Sequence, residues 1–329
     1  MRNLRQVGLD IGNGMTKARS STKETCFPSI IAKARMIGFS TGYSHGADGI
    51  VLSTDENPFF VGDLAARQGD FMSQKLGRDR LGDPFYKVLF LAALTEVLGQ
   101  SCDVQAVCGL PIAWLPDKEL VKAQLLDEHA VERDGVRLTY NVIQMRVVPE
   151  PFGTLLYLLL GNHGQMVKPE LTGQTVGVID IGTKTTDLAL FGEGLEYREN
   201  LCDSLEVGLA NIQSMLAAYV AKKWGRELTL YEADRALQTL HIKIRGLGYN
   251  LTEVVADLAA RAGEVVVSKI EQLWGQALQV DHIYLSGGGA SHLVDHIAAK
   301  YPHVTLVPDP MNANAIGFYR WALSGNTWA

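Results

Sequence analysis

A short pattern that occurs twice limits the folds open to this chain more than any other feature. Asp10-Ile-Gly-Asn-Gly-Met-Thr16 and Asp180-Ile-Gly-Thr-Lys-Thr-Thr186 share D-I-G-x-x-x-T and lie 170 residues apart. Each copy follows an apolar run and precedes a second extended segment, as in a hairpin with a glycine turn. One copy could arise by chance, but two in the same context indicate duplicated domains, each presenting a glycine turn and a carboxylate.

The rest of the chain reads as an α/β protein, because strands alternate with helices in both halves. Helices are predicted over 86–98, 117–129, 152–160, 209–224, 231–240, 251–274 and 312–323. Strands are predicted over 104–110, 136–148, 175–180, 282–286 and 304–307. The region 24–82 is expected to be irregular apart from a short strand at 59–61, and to form an inserted subdomain with mobile loops.

Composition narrows the class of protein. The 329 residues are 47% hydrophobic and 20% charged, which is typical of a globular protein and argues against extensive disorder. A net charge of -6 does not indicate a broad surface for binding duplex DNA. The apolar runs are too short to cross a membrane, the N-terminus has no signal-peptide pattern, and the four cysteines form no C-x-x-C pair. A cytoplasmic protein with reduced thiols is therefore expected.

Both turns have the residues expected of a phosphate site. Gly12, Gly14 and Gly182 allow the backbone to approach a ligand, so that successive N–H groups can point at phosphate oxygens. Lys17 would add a cation and Thr16 a hydroxyl. The alternative is an ordinary hairpin turn with a surface lysine. The recurrence of the turn favours phosphate binding.

Three acidic residues are candidates for chemistry. Asp10 and Asp180 stand where a strand reaches its turn, so they could hold Mg²⁺ through water, or each could cap its own turn. We favour the metal, because a carboxylate beside phosphates would otherwise be repelled. Glu150 lies between Pro149 and Pro151, where it could orient an attacking water or simply serve as a helix N-terminal acid. Local sequence favours neither role for Glu150.

A glycine triplet forms a further candidate site. Gly287, Gly288 and Gly289 follow a predicted strand and precede a predicted helix, so their N–H groups could receive a nucleoside or phosphate. A tight connection is the alternative, although three glycines cost more conformational entropy than a turn needs. No P-loop pattern, no G-x-G-x-x-G and no zinc-ligand spacing is present in the sequence.

These motifs together resemble the actin, sugar kinase and DnaK-type superfamily. The segment 10–18 resembles the first phosphate loop of actin, 179–187 the second phosphate loop, and 286–290 the adenosine motif. The segments 149–153 and 314–319 fall where the two connecting helices are expected. Within the superfamily, 147–157 and the I-D-I-G-x-x-T-x-D loop most resemble ParM, the plasmid-segregation actins with archaeal and chromosomal relatives.

The resemblance implies an α/β fold of two ribonuclease H-like, actin-like ATPase domains flanking a nucleotide cleft. Domain I would comprise 1–168 plus 314–329, with the inserted subdomain at about 24–82. Domain II would comprise 169–313, with an inserted helical subdomain at about 205–275.

The resemblance also assigns roles to residues. Glu150 and Asp180 would be catalytic, Asp10 and Asp180 would hold Mg²⁺ through water, and ATP or GTP would be the nucleotide. The residues implied to bind it are Asp10, Gly12, Asn13, Gly14, Thr16, Lys17, Gly182, Thr183, Lys184, Thr185, Gly208, Gly287, Gly288 and Gly289. Lys184 departs from the pattern, since actin-type loops commonly have glycine there.

The implied function is a filament that forms with nucleotide and is destabilised after hydrolysis, in plasmid or DNA segregation or cytoskeletal positioning. The implied partners are further copies of the chain and a DNA-binding adaptor protein, with neither direct duplex-DNA binding nor membrane contact expected. A small-molecule kinase of the same superfamily is the main alternative. A chaperone-like protein is disfavoured, because no room for a substrate-binding domain is expected after the last helix.

Overall fold

Two compact units, each built around its own sheet, make up the chain. The computed structural model describes residues 3–36, 49–54 and 57–325. Unit 1 comprises the described residues up to Pro169 together with those from Asn312 onward, and unit 2 comprises Glu170–Met311.

The strands fall at the short apolar runs of the sequence. In the described residues they are β1 Leu4–Ile11, β2 Met15–Arg19, β3 Glu24–Pro28, β4 Ile31–Lys33, β5 Ile50–Thr54, β6 Asn57–Val61, β7 Asp70–Ser73, β8 Cys102–Leu110, β9 Glu128–Arg133, β10 Val136–Pro149, β11 Val176–Ile181, β12 Thr186–Gly192, β13 Glu196–Tyr197, β14 Asp203–Leu205, β15 His241–Ile244, β16 Leu247–Asn250, β17 His282–Ser286 and β18 Val304–Leu306.

The helices include those predicted from the apolar periodicity. In the same residues they are α1 Asp63–Gln68, α2 Pro84–Leu98, α3 Lys118–Leu125, α4 Glu150–Leu159, α5 Leu209–Trp224, α6 Leu230–Thr239, α7 Thr252–Trp274, α8 Ala290–Lys300 and α9 Ala313–Leu323. Asp83 begins α2 by accepting a hydrogen bond from the Phe85 N–H, and Gly99 ends it in the left-handed conformation.

The sheet of unit 1 has ten described strands in the order β3-β2-β1-β8-β10-β9-β5-β6-β4-β7. Its centre is parallel, since β8 pairs in parallel with both β1 and β10. Helix α2 contributes much of the core on one face, and α9 crosses β1 on the other. A Cβ on Gly8 would lie 2.9 Å from the Cα of Tyr319, so only glycine lets α9 pack this closely.

Helices α4 and α9 pack directly on each other within unit 1. A Cβ on Gly317 would lie 2.8 Å from the carbonyl carbon of Gly153, so the two backbones touch at this crossing. The buried hydroxyl of Thr154 donates to the Asn314 Oδ1 at 2.7 Å. These contacts fix the start of α4, which carries Glu150.

The sheet of unit 2 has the described order β13-β12-β11-β17-β18, with β14 also paired to β12. Strands β11 and β12 form an antiparallel hairpin, while β17 pairs in parallel with β11. Helices α5, α7 and α8 supply much of its core. The region between β14 and β17 also holds the small hairpin β15–β16, which the sequence did not predict.

Two local predictions were wrong. The helix predicted to reach His129 ends at Leu125, and His129 lies in β9, where pairing with β10 buries alternate side chains. Residues 24–82 were expected to be mostly irregular, yet five strands lie in their described part and continue the sheet. These strands have only three to five residues, too few for a clear alternation. The remainder of that region, 37–48 and 55–56, lies outside the described residues.

Candidate functional site

The first repeated motif forms a tight hairpin turn in unit 1. Strands β1 and β2 pair with Asp10 opposite Lys17, and the Gly12 N–H donates to the Met15 carbonyl at 3.1 Å. Within the described residues, the N–H groups of Asn13 and Gly14 have no hydrogen-bond acceptor. The turn therefore presents two successive backbone donors, as anion-binding turns do.

Asp10 and Lys17 form a shielded ion pair beside this turn. The Lys17 Nζ lies 3.0 Å from the Asp10 Oδ2, and the two side chains are only 11% and 6% exposed. Residues directly opposite in an antiparallel pair point to the same face, so the register sets up this contact. The carboxylate at the end of β1 is thus balanced by a cation from β2.

Thr16 lies on the opposite side of the hairpin. It is fully buried, and its hydroxyl pairs with the Ser29 Oγ at 2.8 Å. The Ser29 hydroxyl donates to the Gly12 carbonyl at 2.7 Å. Because a serine hydroxyl has one proton, Thr16 must be the donor to Ser29. The structure thus places the proton of Thr16, which the sequence had assigned to phosphate, in a chain that holds the turn.

Arg80 is a component that the sequence analysis missed. It is fully buried, and its Nη1 donates to the Gly12 carbonyl at 2.9 Å and to the Asn13 Oδ1 at 3.3 Å. Its Nη2 donates to the Ile11 carbonyl. Arg80 is one of two arginines in the largely polar stretch 77–82 and resembles a surface residue, so no sequence pattern identifies it.

The guanidinium of Arg80 lies in a mixed apolar and charged environment. It stands 5.1 Å from the centre of the Tyr86 ring and 6.0 Å from that of Phe85. Burial lowers the pKa of Arg80, while the charges of Tyr86, Glu150, Cys108 and Asp10 act to raise it. Two candidate carboxylates, Asp10 and Glu150, therefore lie within electrostatic range of this one buried cation.

Glu150 is the first residue of α4. Pro149 precedes it in an extended conformation and Pro151 follows it inside the helix, so the surrounding backbone is stiff. A Cβ on Gly109, in β8, would lie 2.8 Å from the Glu150 Cγ. Glu150 is therefore an acid in the first turn of its helix, where it interacts favourably with the helix dipole. This position does not conflict with a role in catalysis.

A buried thiol, that of Cys108, lies next to this cluster. Burial raises the pKa of Cys108 to about 12, and its Sγ lies 3.5 Å from the Tyr86 hydroxyl. A thiol with this pKa is almost entirely protonated at neutral pH, so Cys108 is not a nucleophile here.

The second repeated motif forms the same turn in unit 2. The Gly182 N–H donates to the Thr185 carbonyl at 2.8 Å, as Gly12 does in the first turn. Within the described residues, the N–H groups of Thr183 and Lys184 have no acceptor. The lysine in place of a glycine therefore leaves the turn intact, and its Nζ lies 3.8 Å from the Glu206 Oε1.

The second turn differs from the first in its charge. Asp180 pairs across the hairpin with Asp187, and both are buried. Asp187 accepts hydrogen bonds from the Thr185 hydroxyl, at 3.0 Å, and from the Ser204 hydroxyl. Asp187 follows directly after the second motif, but the sequence predicted no role for it. Two carboxylates directly opposite each other repel unless a cation or a proton is shared.

Gly208 fixes the second turn to α5. The N–H of Leu209 donates to the Gly182 carbonyl at 3.1 Å, and that of Ala210 to the Thr183 carbonyl at 2.7 Å. A Cβ on Gly208 would lie 2.6 Å from both of these carbonyl oxygens. The geometry therefore explains this glycine by close packing against the turn.

The glycine triplet lies beside Asp180. The N–H groups of Gly287 and Gly289 donate to the carbonyls of Pro310 and Ile181, at 2.8 and 2.9 Å. Two of the three donors predicted to face a ligand are thus used inside unit 2. In the described chain, the Gly288 N–H has no acceptor.

The donor set suits a hard cation. The buried carboxylates at the strand ends offer oxygen ligands, which Mg²⁺ prefers, usually with several waters and substrate phosphates completing its shell. In the part of the chain that the structure describes, no three His, Cys, Asp or Glu side chains gather as metal ligands do. The same part contains no helix long and apolar enough to cross a membrane.

Two family models match successive parts of the chain. Residues 8–153 match the model of the actin-like protein N-terminal domain, and residues 178–299 match that of the C-terminal domain of the archaeal actin homologue MreB-like proteins. The matched segments contain both repeated turns, Glu150 and the glycine triplet. A search of curated proteins finds no match in sequence.

Solved structures agree with both matches. The archaeal actin homologue Ta0583 is 26% identical, with a TM-score of 0.81 over 96% of this chain and 98% of its own. The subunit of a 15-stranded ParM filament from Clostridium botulinum is 22% identical, with a TM-score of 0.79 over 97% and 99%. ParM of Bacillus thuringiensis with AMPPNP, 15% identical, has a TM-score of 0.70 over 98% and 99% and supports the fold alone. The predicted actin-like fold is thus confirmed, and by its two matched domains, an actin-like N-terminal and an archaeal MreB-like C-terminal domain, the chain belongs to the actin-like proteins.

Proposed function

We propose that this protein binds Mg²⁺ and a nucleoside triphosphate, ATP or GTP, hydrolyses it, and forms a filament whose stability depends on the bound nucleotide. The observation that carries the proposal is the duplicated turn. In each unit a buried aspartate is the second-last residue of a strand, one hydrogen bond closes the turn, and two backbone N–H groups have no acceptor among the described residues.

Phosphate oxygens are the ligands that such donors suit. Backbone N–H groups in successive positions form anion sites without a net positive charge. In the first turn Lys17 supplies the charge, and its ammonium can bind phosphate when a cation takes over its role beside Asp10. The roles of Asn13, Gly14, Thr183 and Lys184 follow from their backbone donors, while Gly12, Gly182 and Gly208 shape the turns.

Magnesium would bind at the carboxylates. Asp180, with Asp187 opposite, offers two buried acidic groups, and Asp10 offers a third in its own unit. The metal would neutralise phosphate charge and polarise the phosphoryl group. Asp180, one residue before the end of β11, would hold it through water.

Glu150 would act on the attacking water. Its place between two prolines at the start of α4 limits its movement, as an orienting residue requires. Hydrolysis then depends on one carboxylate that accepts a hydrogen bond from water. In a kinase of the same superfamily, a carboxylate would instead activate an acceptor hydroxyl.

Filament formation is proposed from family membership. The Clostridium botulinum relative is a filament subunit, and a related pCBH ParM was made non-polymerisable by four substitutions. A head-to-tail contact that does not close into a ring would build such a filament here. The net charge of -6 suits a link to DNA through an adaptor protein rather than direct binding, and we propose plasmid or DNA segregation or cytoskeletal positioning as its use.

The test is light scattering at 90° with Mg-ATP, Mg-GTP and Mg-ADP, followed by sedimentation and phosphate release. We expect a triphosphate-dependent rise, a pellet and phosphate released in step with it. Asp180→Asn should weaken the magnesium dependence and the turnover. A flat trace with tight nucleotide binding would refute the filament and favour the kinase, whereas no nucleotide binding at all would refute the whole proposal.

A further inference from the structure

We propose that Arg80 is a positioning residue for the first phosphate turn, holding two of its peptide groups so that the turn keeps its shape and the Asn13 N–H faces the phosphates. The inference rests on the proposed function, since it concerns the same turn. It assigns a role to a fully buried arginine in a segment that carries no recognisable motif.

The hydrogen bonds of Arg80 fall on consecutive peptide groups of the turn. Its Nη1 holds the Gly12 carbonyl at 2.9 Å and its Nη2 holds the Ile11 carbonyl. A hydrogen bond from a charged donor is about twice as strong as one between neutral groups. One planar guanidinium therefore sets the orientation of two peptide planes together.

Because the peptide group is planar, the direction of each carbonyl also fixes the direction of the next N–H group. In a trans peptide the C=O and the next N–H point in opposite directions. With the Gly12 carbonyl held toward Arg80, the Asn13 N–H must point away from the protein interior that Arg80 occupies. The Ile11 carbonyl is held in the same way, and the Gly12 N–H then points to the Met15 carbonyl, as observed.

The position of Arg80 is itself fixed. Its guanidinium lies over the Tyr86 ring, and Tyr86 is anchored in α2. A cation buried over an aromatic ring is held more firmly than one in water. In the described chain the Arg80 Nε has no acceptor, so the hydrogen bonds of the side chain come from its two terminal nitrogens.

The charge of Arg80 adds to its geometric role. A positive group buried behind the turn is screened less than a surface lysine, so it favours an anion in front of the turn. It also lies within electrostatic range of Asp10 and Glu150, the two carboxylates of unit 1 proposed to act on the nucleotide. Losing Arg80 would therefore disturb both the donors and the charge balance.

The experiment compares ATP with adenosine, because adenosine lacks the phosphates that the turn would bind. Binding of Mg-ATP and of adenosine is measured by calorimetry for the full-length wild type, Arg80→Lys, Arg80→Gln and Arg320→Lys. Arg320 is the matched control. It stands over the Tyr157 ring at 4.7 Å, donates to the Leu160 carbonyl at 3.0 Å and also has an Nε without an acceptor among the described residues, yet it does not contact the turn.

We expect Arg80→Lys to lose about tenfold in ATP affinity, the loss of one charge-assisted hydrogen bond, and less than about twofold in adenosine affinity. Arg80→Gln should lose more, since it also removes the charge, and Arg320→Lys should change neither. Equal losses for ATP and adenosine, or unchanged ATP affinity in folded Arg80→Lys, would overturn the inference. Wild type that binds no ATP would instead overturn the proposed function.

A measurement on the wild type covers the case in which the Arg80 variants do not fold. The side-chain ¹⁵N resonances of Arg80 and Arg320 are followed by NMR as ATP or adenosine is added. Arg80 should shift with ATP and not with adenosine, while Arg320 should respond to neither. An Arg80 resonance that ignores ATP at saturation would overturn the inference.

Discussion

Replacing Gly287 with alanine gives a direct test of how unit 2 holds Asp180. Gly287 has φ of +86°, a conformation that costs an L-residue about 1 to 2 kcal/mol. A Cβ at this position would lie 2.6 Å from the carbonyl carbon of Ile181, and closer still to the Ile181 carbonyl oxygen and the Asp180 Oδ1. The substitution therefore strains the backbone and pushes on the proposed magnesium ligand at once.

The size of the effect follows from these contacts. Ordinary contact begins at 3.4 Å, so the backbone of β11 or the glycine loop must shift by several tenths of an ångström or more. Such overpacking costs about 1 to 3 kcal/mol. Together with the conformational cost, Gly287→Ala should lower the free energy of unfolding by about 2 to 5 kcal/mol.

Gly288→Ala is the matched control. A Cβ there would meet only side-chain carbons of Leu209 and Met311, both at 3.6 Å, and the glycine does not have a positive φ. Its effect should stay within about 0.5 kcal/mol, as for a tolerated glycine replacement. Urea unfolding gives both values. Equal losses of stability for the two variants would refute this account of the triplet.

Three further outcomes follow from the structure. Glu150→Gln should slow phosphate release about 100-fold while the dissociation constant for ATP, measured by calorimetry, changes far less; parallel losses would place Glu150 in binding instead. Burial raises the pKa of Asp83, but hydrogen bonds from Lys75 and a helix N–H lower it overall, so its stabilisation is present above its unfolded pKa and lost as pH falls through the folded value. In urea unfolding from pH 7 to pH 3, Asp83→Asn should lack this loss, and an identical pH profile would contradict the role. Iodoacetamide at pH 8 should modify exposed Cys26 in the native protein and Cys108 only after unfolding, as mass spectrometry of the peptides would show, because burial raises the pKa of Cys108 to about 12.

The sequence predicted the framework well where its signals were long or repeated. Helix α5 has the predicted bounds 209–224, and β17 those of 282–286, because long periodic runs and buried strands leave clear patterns. The duplicated turn was predicted because two copies of one motif occur in the same context. Both turns have the same closing hydrogen bond.

The features that the sequence did not predict depend on contacts between residues that are distant along the chain. Arg80 reaches Gly12 across 68 residues, and no local pattern encodes that distance. The proton chain from Thr16 through Ser29 likewise depends on β3 lying beside β2. The sequence thus identifies the types of side chain at the site. The direction in which each side chain points depends on neighbours that are brought together only by the fold.

The charges opposite the two aspartates indicate that the two turns have different roles. In unit 1 the residue opposite Asp10 is Lys17, and the pair is neutral without any ligand. In unit 2 the corresponding residue opposite Asp180 is Asp187, which accepts hydrogen bonds from the hydroxyls of Thr185 and Ser204. Duplication alone would have kept both turns alike, so the difference calls for a physical reason. A divalent cation would supply one, since it would relieve the repulsion between the two facing carboxylates at the second turn. The charge pattern therefore agrees with the proposal that Asp180 holds magnesium at the second turn, while Lys17 and the buried Arg80 give the first turn the positive charge that suits phosphate.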